Sequence, residues 1–142
     1  MRRLIISARF SSQATQPSGA PPEVDVDGKS EWVSVHAADE TDAGIQSLSY
    51  SSHAKFTGES TFTERGRLTI DEGDAALDFA TFAEGFLGPS ADPELHHGSV
   101  VWRIERGHGR LKDASGLITS NFVLRPSSGE VDERQVAVVF LP

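Results

Sequence analysis

The sequence predicts an all-β domain, a single antiparallel β-barrel of about eight strands. Three observations carry that prediction. The hydrophobic pattern repeats every second residue wherever a period can be read. Turn signals rich in Gly, Pro, Asp and Ser separate the apolar runs at short intervals. No segment shows a sustained helical stripe, and the nearest approach is a single turn over residues 110–115. A two-sheet sandwich has the same alternation and is the rival architecture. Eight strands with short links remove their edges most simply by closing on themselves.

The strands follow in order. Residues 4–10 form a short apolar strand, and 31–36 (Glu31-Trp32-Val33-Ser34-Val35-His36) are rich in β-formers and too short for an ordinary helix. Residues 45–56 place Leu48, Tyr50, Ser52, Ala54 and Phe56 on one face and Ser49, Ser51, His53 and Lys55 on the other. Residues 62–70 continue in strand with Gly66 at a bulge or bend. Residues 77–87, 99–105, 117–125 and 135–141 complete the set. The turns fall at 39–44, at Asp71-Glu72-Gly73-Asp74, in a longer loop from Gly88 to Gly98, and at Pro126-Ser127-Ser128-Gly129. Residues 11–30 differ in kind: rich in Pro, Gly and Ser, they read as a loop or flexible arm.

Composition narrows the functional classes. The 142 residues read as one domain, long enough to bury about two-thirds of the unfolded surface without a metal or a staple. A net charge of −8 argues against nucleic acid or an anionic membrane as partner. The absence of Cys removes disulfides, thiolate metal sites and cysteine nucleophiles. The N-terminal apolar run, Leu4-Ile5-Ile6, falls short of a secretory or membrane-spanning segment, so a soluble cytoplasmic protein is expected. Gly107-His108-Gly109 lacks the third glycine and the strand-to-helix setting of a phosphate loop, and no Gly-x-Ser-x-Gly elbow occurs. No cofactor is expected.

One stretch resembles known proteins. Trp102 sits in a strand that leads to Gly107-His108-Gly109-Arg110-Leu111 and then to Ala114-Ser115-Gly116 at the start of the next strand. This pattern resembles allene-oxide-cyclase-like and dirigent-like barrels, a calycin-type group that includes bacterial families of similar length. The resemblance is close over the last third of the chain and elsewhere extends only to strand count. It implies an eight-stranded barrel, often oligomeric, around a largely apolar cavity in which a reactive or hydrophobic molecule is held. It assigns no catalytic residue to this chain.

Candidate chemistry is read from the strands. His36 shares a face with Trp32 and Ser34; turned inward it is a general base near neutral pH, turned outward a strand-end residue. Glu84, between Phe82 and Phe86 on one face, becomes an acid of raised pKa if enclosed. Tyr50 and Asn121 are hydrogen-bonding candidates for a substrate oxygen, with Trp32, Phe82 and Trp102 as further substrate contacts. His96, His97 and His108 with Asp92 and Glu94 lack the His-x-His spacing of a barrel metal site, so no metal is expected. Seven acids and no Lys or Arg fall in 71–94, and four bases with one Glu in 103–112, which suggests one locally positive barrel end or a subunit interface.

The functional expectation is a cofactor-independent isomerase, cyclase or lyase acting on a hydrophobic oxygenated small molecule inside the barrel, with Glu84 and His36 as acid and base. The alternatives are a lipocalin-like carrier without catalysis, and a barrel packed solid that acts through its surface. A homo-oligomer is expected.

Overall fold

The computed structural model describes residues 1–17, 22–37 and 44–142. Its strands are β1 (Arg2–Thr15), β2 (Glu23–Ala37), β3 (Leu48–Phe56), β4 (Thr61–Ile70), β5 (Ala75–Thr81), β6 (Gly85–Pro89), β7 (His96–Gly109), β8 (Ser115–Arg125) and β9 (Glu130–Leu141). All neighbouring pairs are antiparallel, and the ring closes through β1–β9 and β3–β4. The fold is a closed barrel of eight strand positions, as the alternation predicts, with one extra strand.

The extra strand comes from a break. β5 pairs with Arg65–Ile70 of β4, whereas β6 pairs with Thr61 and Phe62 farther along the same strand. Both also pair with β7, so β5 and β6 are two pieces of one strand position. The segment 77–87, expected as continuous, is interrupted at Phe82-Ala83-Glu84, where Ala83 adopts a left-handed φ of 65°. The break turns Phe82 and Glu84 out of the wall.

Two further expectations change. Residues 11–30 are mostly strand: β1 runs to Thr15 and β2 begins at Glu23, paired in register from Phe10↔Ser30 to Thr15↔Asp25. Their low apolar content hid an alternation of small residues, with Ser12 and Gly28 buried under the Tyr50 ring. Part of this segment, 18–21, and most of the turn expected at 39–44 lie outside the described residues. The register of β1 against β2 shifts between Arg9 and Phe10, which pair with Trp32 and Ser30 and leave Glu31 as the bulged residue. One extra residue inverts the alternation. Val24, Val26 and Gly28 face inward before the bulge, and Val33, Val35 and Ala37 after it, so Trp32 is 47% exposed.

The interior is filled at one end and hollow at the other. Leu4, Ile6, Leu68, Ile70, Leu77, Leu111, Ile118, Val139 and Leu141 close one half, each at most 2% exposed. A chain of rings then crosses the barrel. Phe10 meets Tyr50 edge-on at 5.1 Å, Tyr50 lies 6.0 Å from Trp102, and Trp102 stacks on Phe79 at 4.1 Å. Above this belt the walls draw back.

Candidate active site

The hollow half holds a cavity of about 200 Å³. Its walls are apolar: Val24, Val26, Ala54, Phe56, Phe62, Leu87, Val100, Phe122 and Leu124. Tyr50 and Trp102 meet it from the ring belt, and two carboxyl groups, Glu64 and Glu133, complete the lining at that level. An apolar cavity of about 150 Å³ accepts benzene, so this one suits a single substituted ring.

Period-two alternation carries both acids inside. In β4 the inward residues are Phe62, Glu64, Leu68 and Ile70, with Gly66 among them; in β9 they are Val131, Glu133, Gln135, Ala137, Val139 and Leu141. The backbone at Glu64 is pinned at the point where β5 stops. The Thr81 hydroxyl accepts from Glu64 N–H and donates to Glu64 C=O at 2.9 Å, replacing the missing ladder bonds.

Each acid has its own set of donors. Glu64 Oε1 accepts from the Trp102 indole N–H at 3.0 Å, and Oε2 is bonded to the Ser52 hydroxyl. Glu133 accepts from three groups: the Tyr50 hydroxyl at Oε1, and the Ser120 hydroxyl and the Gln135 amide, the latter at 3.1 Å, at Oε2. Tyr50 also contacts Ser12 Oγ at 3.1 Å. Gly28 permits this arrangement, because a Cβ there would stand 2.2 Å from Ser12 Oγ and 2.7 Å from the Tyr50 ring.

Burial dominates the electrostatics. Desolvation raises the Glu64 pKa to about 7; the Ser52 and Trp102 hydrogen bonds oppose the shift, and the nearby Glu133 charge adds to it. Desolvation also raises Glu133, against the pull of its Ser120, Tyr50 and Gln135 donors. Tyr50 is held well above its ordinary range by burial and by the adjacent Glu133 charge, so it stays a hydroxyl donor. Among the described residues no Lys, Arg or His lines the cavity. At neutral pH Glu64 therefore lies near the midpoint between acid and carboxylate beside an apolar cavity, the range in which general acid–base groups work best.

Of the residues singled out from the sequence, the structure brings Tyr50 and Trp102 to this cavity and takes the others elsewhere. Glu84 is exposed in the turn after β5, and Phe82, 49% exposed, lies outside under the Arg103 guanidinium at 4.9 Å. His36 and Trp32 are on the outer face of β2, beyond the Glu31 bulge. Asn121 is exposed too: the inward face of β8 is Ile118, Ser120 and Phe122, while Leu117, Asn121 and Val123 point outward. The inward alternatives offered for Glu84 and His36, and the pocket placement of Trp32, Phe82 and Asn121, thus give way to an outward one. Of the loop histidines, His108 ends β7 and bonds Asp78 at 2.7 Å beside Arg67. Among the described residues no three ligating side chains converge on a common point.

Glu64 and Glu133 were missed although the signal was present, since both occupy core positions of alternating strands. A carboxylate on a core face is costly enough that such positions invite reassignment to the surface. Of the donors around them, Ser52 and Gln135 fall on the inward faces of strands the sequence shows, whereas Ser12 lies in the segment read as a loop and Ser120 on the face of β8 opposite Asn121.

Comparison with solved structures gives a dirigent protein, a pterocarpan synthase, as a structural neighbour. It matches with a TM-score of 0.55 at 12% identity over 97% of this chain and 89% of the other. At that identity the likeness speaks for the fold, and it agrees at that level with the dirigent-like pattern around Trp102. No protein-family model matches the chain, and no curated protein matches it.

Proposed function

We propose that the barrel is a cofactor-independent acid–base catalyst, an isomerase, cyclase or lyase, acting on a hydrophobic oxygenated molecule about one substituted ring in size. The observation that carries this reading is the placement of Glu64, a buried acid with no cationic partner among the described residues of the lining, beside an apolar cavity of about 200 Å³. A protein that only carries an apolar ligand gains nothing from two buried carboxyl groups, whose desolvation costs stability.

In this reading Glu64 donates its proton to a substrate oxygen, and Glu133, held by three hydrogen-bond donors, takes a proton from the opposite side of the bound ring. One proton is given and one taken, so the reaction is balanced without a co-reactant. The two side chains then re-equilibrate with solvent. The walls supply positioning, which contributes most when the reacting atoms are held in near-attack geometry.

The carrier reading draws on the apolar stretch formed by Val24, Val26, Phe56, Phe62, Phe122 and Leu124. A panel of monocyclic terpenoids and ring ketones, screened for binding and then for product, separates the two. Catalysis predicts product from at least one binder and its loss in Glu64→Gln; unchanged recovery of every binder supports the carrier. Leu117, Val136 and Phe140, exposed on the outer faces of β8 and β9, support the expectation of a homo-oligomer, which light scattering reads directly.

A further inference from the structure

The cavity's chemistry is one-sided. Five rings border it, those of Tyr50, Phe56, Phe62, Trp102 and Phe122, and each offers a π-system whose face is negative. Its two carboxylic acids, Glu64 and Glu133, are 9% and 3% exposed and have no cationic partner among the described residues of the lining. The groups that face Glu64 are Ser52 and Tyr50 from β3, Trp102 from β7 and Glu133 from β9. His53, Lys55 and Arg65 line a separate hollow over β3 and β4 that Glu64 also borders, and none of the three lines the cavity itself. Aromatic walls around a buried negative site are the setting in which organic cations are recognised. A carboxylate ligand would instead meet two acids and no positive group.

We propose that this cavity binds small hydrophobic amines as their ammonium ions, with the ring among the aromatic walls and the charged nitrogen at Glu64 and Glu133. The inference rests on the reading that the cavity is the ligand site, and goes beyond it in naming a ligand charge. An alkylamine is already protonated near neutral pH, so its arrival displaces the proton of Glu64 to solvent and leaves an ammonium–carboxylate pair. Such amines would compete with a neutral substrate of the proposed reaction, because they remove the acid it needs.

The test uses three one-ring probes of nearly equal size: benzylamine, benzyl alcohol and benzoate. Titration calorimetry of the full chain at pH 7.5 is expected to give at least tenfold tighter binding for benzylamine than for benzyl alcohol, and no measurable binding of benzoate. Repeating the benzylamine titration in buffers of different ionisation enthalpy reads the displaced proton. Release is expected near one proton at pH 6 and near zero at pH 8.5, following Glu64 with its pKa of about 7. Glu64→Gln, which keeps the acceptor for Trp102, is expected to cut the amine-to-alcohol ratio at least fivefold, and Glu133→Gln is the second variant should the first not fold. The Trp102 indole N–H resonance reports occupancy of the cavity. If all three probes shift it and benzyl alcohol binds as tightly as benzylamine, the cation preference is wrong and the cavity stands. If none shifts it up to its solubility limit, the ligand site itself is wrong.

Discussion

Replacing Glu64 by Gln should make the protein more stable in mild alkali, and the size of the effect follows from burial. An ordinary glutamate titrates near 4.5, whereas Glu64 in the folded barrel titrates near 7. Below 4.5 both states hold the proton and the group is neutral with respect to folding. Between 4.5 and 7 the unfolded chain gives up its proton while the folded one retains it, so stability falls as pH rises. Above about 7 the loss is complete, at about 3 kcal/mol. Gln cannot ionise, so the stability difference between Glu64→Gln and the parent should grow by about 2–3 kcal/mol from pH 5 to pH 8, part of the loss being already present at pH 5. Taking the difference cancels His53, whose hydrogen bond to Asp25 raises its pKa and gives the same sign of dependence in both proteins. Asp78 and Asp132, held low by Arg67 and Arg9, stay ionised throughout this window. Urea denaturation at pH 5, 6, 7 and 8 reads the effect as a widening gap in midpoint of about 1–2 M. A gap that is constant across those four pH values would refute the placement of an uncompensated acid inside the barrel.

Other consequences are specific to single contacts. Gly28→Ala drives a Cβ into Ser12 and the Tyr50 ring; we expect a loss of about 1–3 kcal/mol by thermal or urea unfolding, with the Tyr50 side-chain resonances displaced. Trp102→Phe removes the indole donor that lowers Glu64, so the Glu64 midpoint should move upward in an NMR titration. Ala83→Gly relieves a left-handed φ of 65° at the β5–β6 break, and should leave stability unchanged or raise it by up to about 1 kcal/mol. Glu84→Gln and His36→Ala, both on exposed side chains, should leave ligand affinity unchanged in calorimetry.

The strands were legible because a half-buried strand cannot hide its period. Val100, Trp102 and Ile104 against Arg103 and Glu105 state which face is core, and the structure buries the first three. The site was less legible for two physical reasons. Alternation gives two faces but not their assignment, and a bulge exchanges them: Trp32 belongs by count to the face of Val26 and Gly28, yet the extra residue at Glu31 turns it out. The break at Phe82-Ala83-Glu84 has the same effect on Glu84, and nothing in that tripeptide marks a left-handed Ala. Conversely, Glu64 and Glu133 lie where the count places them. Their burial is tolerable because Ser12, Ser52, Ser120, Gln135, Tyr50 and Trp102 converge from four other strands and β9 itself, a convergence that only pairing register reveals.

The protonation state of one side chain decides whether the cavity holds an acid. A ¹³C NMR titration of the glutamate carboxyl carbons, with Glu64 assigned by its disappearance in Glu64→Gln, reads it without assuming any ligand. The account predicts a midpoint near 7 for Glu64, well separated from the surface glutamates. A Glu64 midpoint near 4.5, alongside the rest, would contradict it.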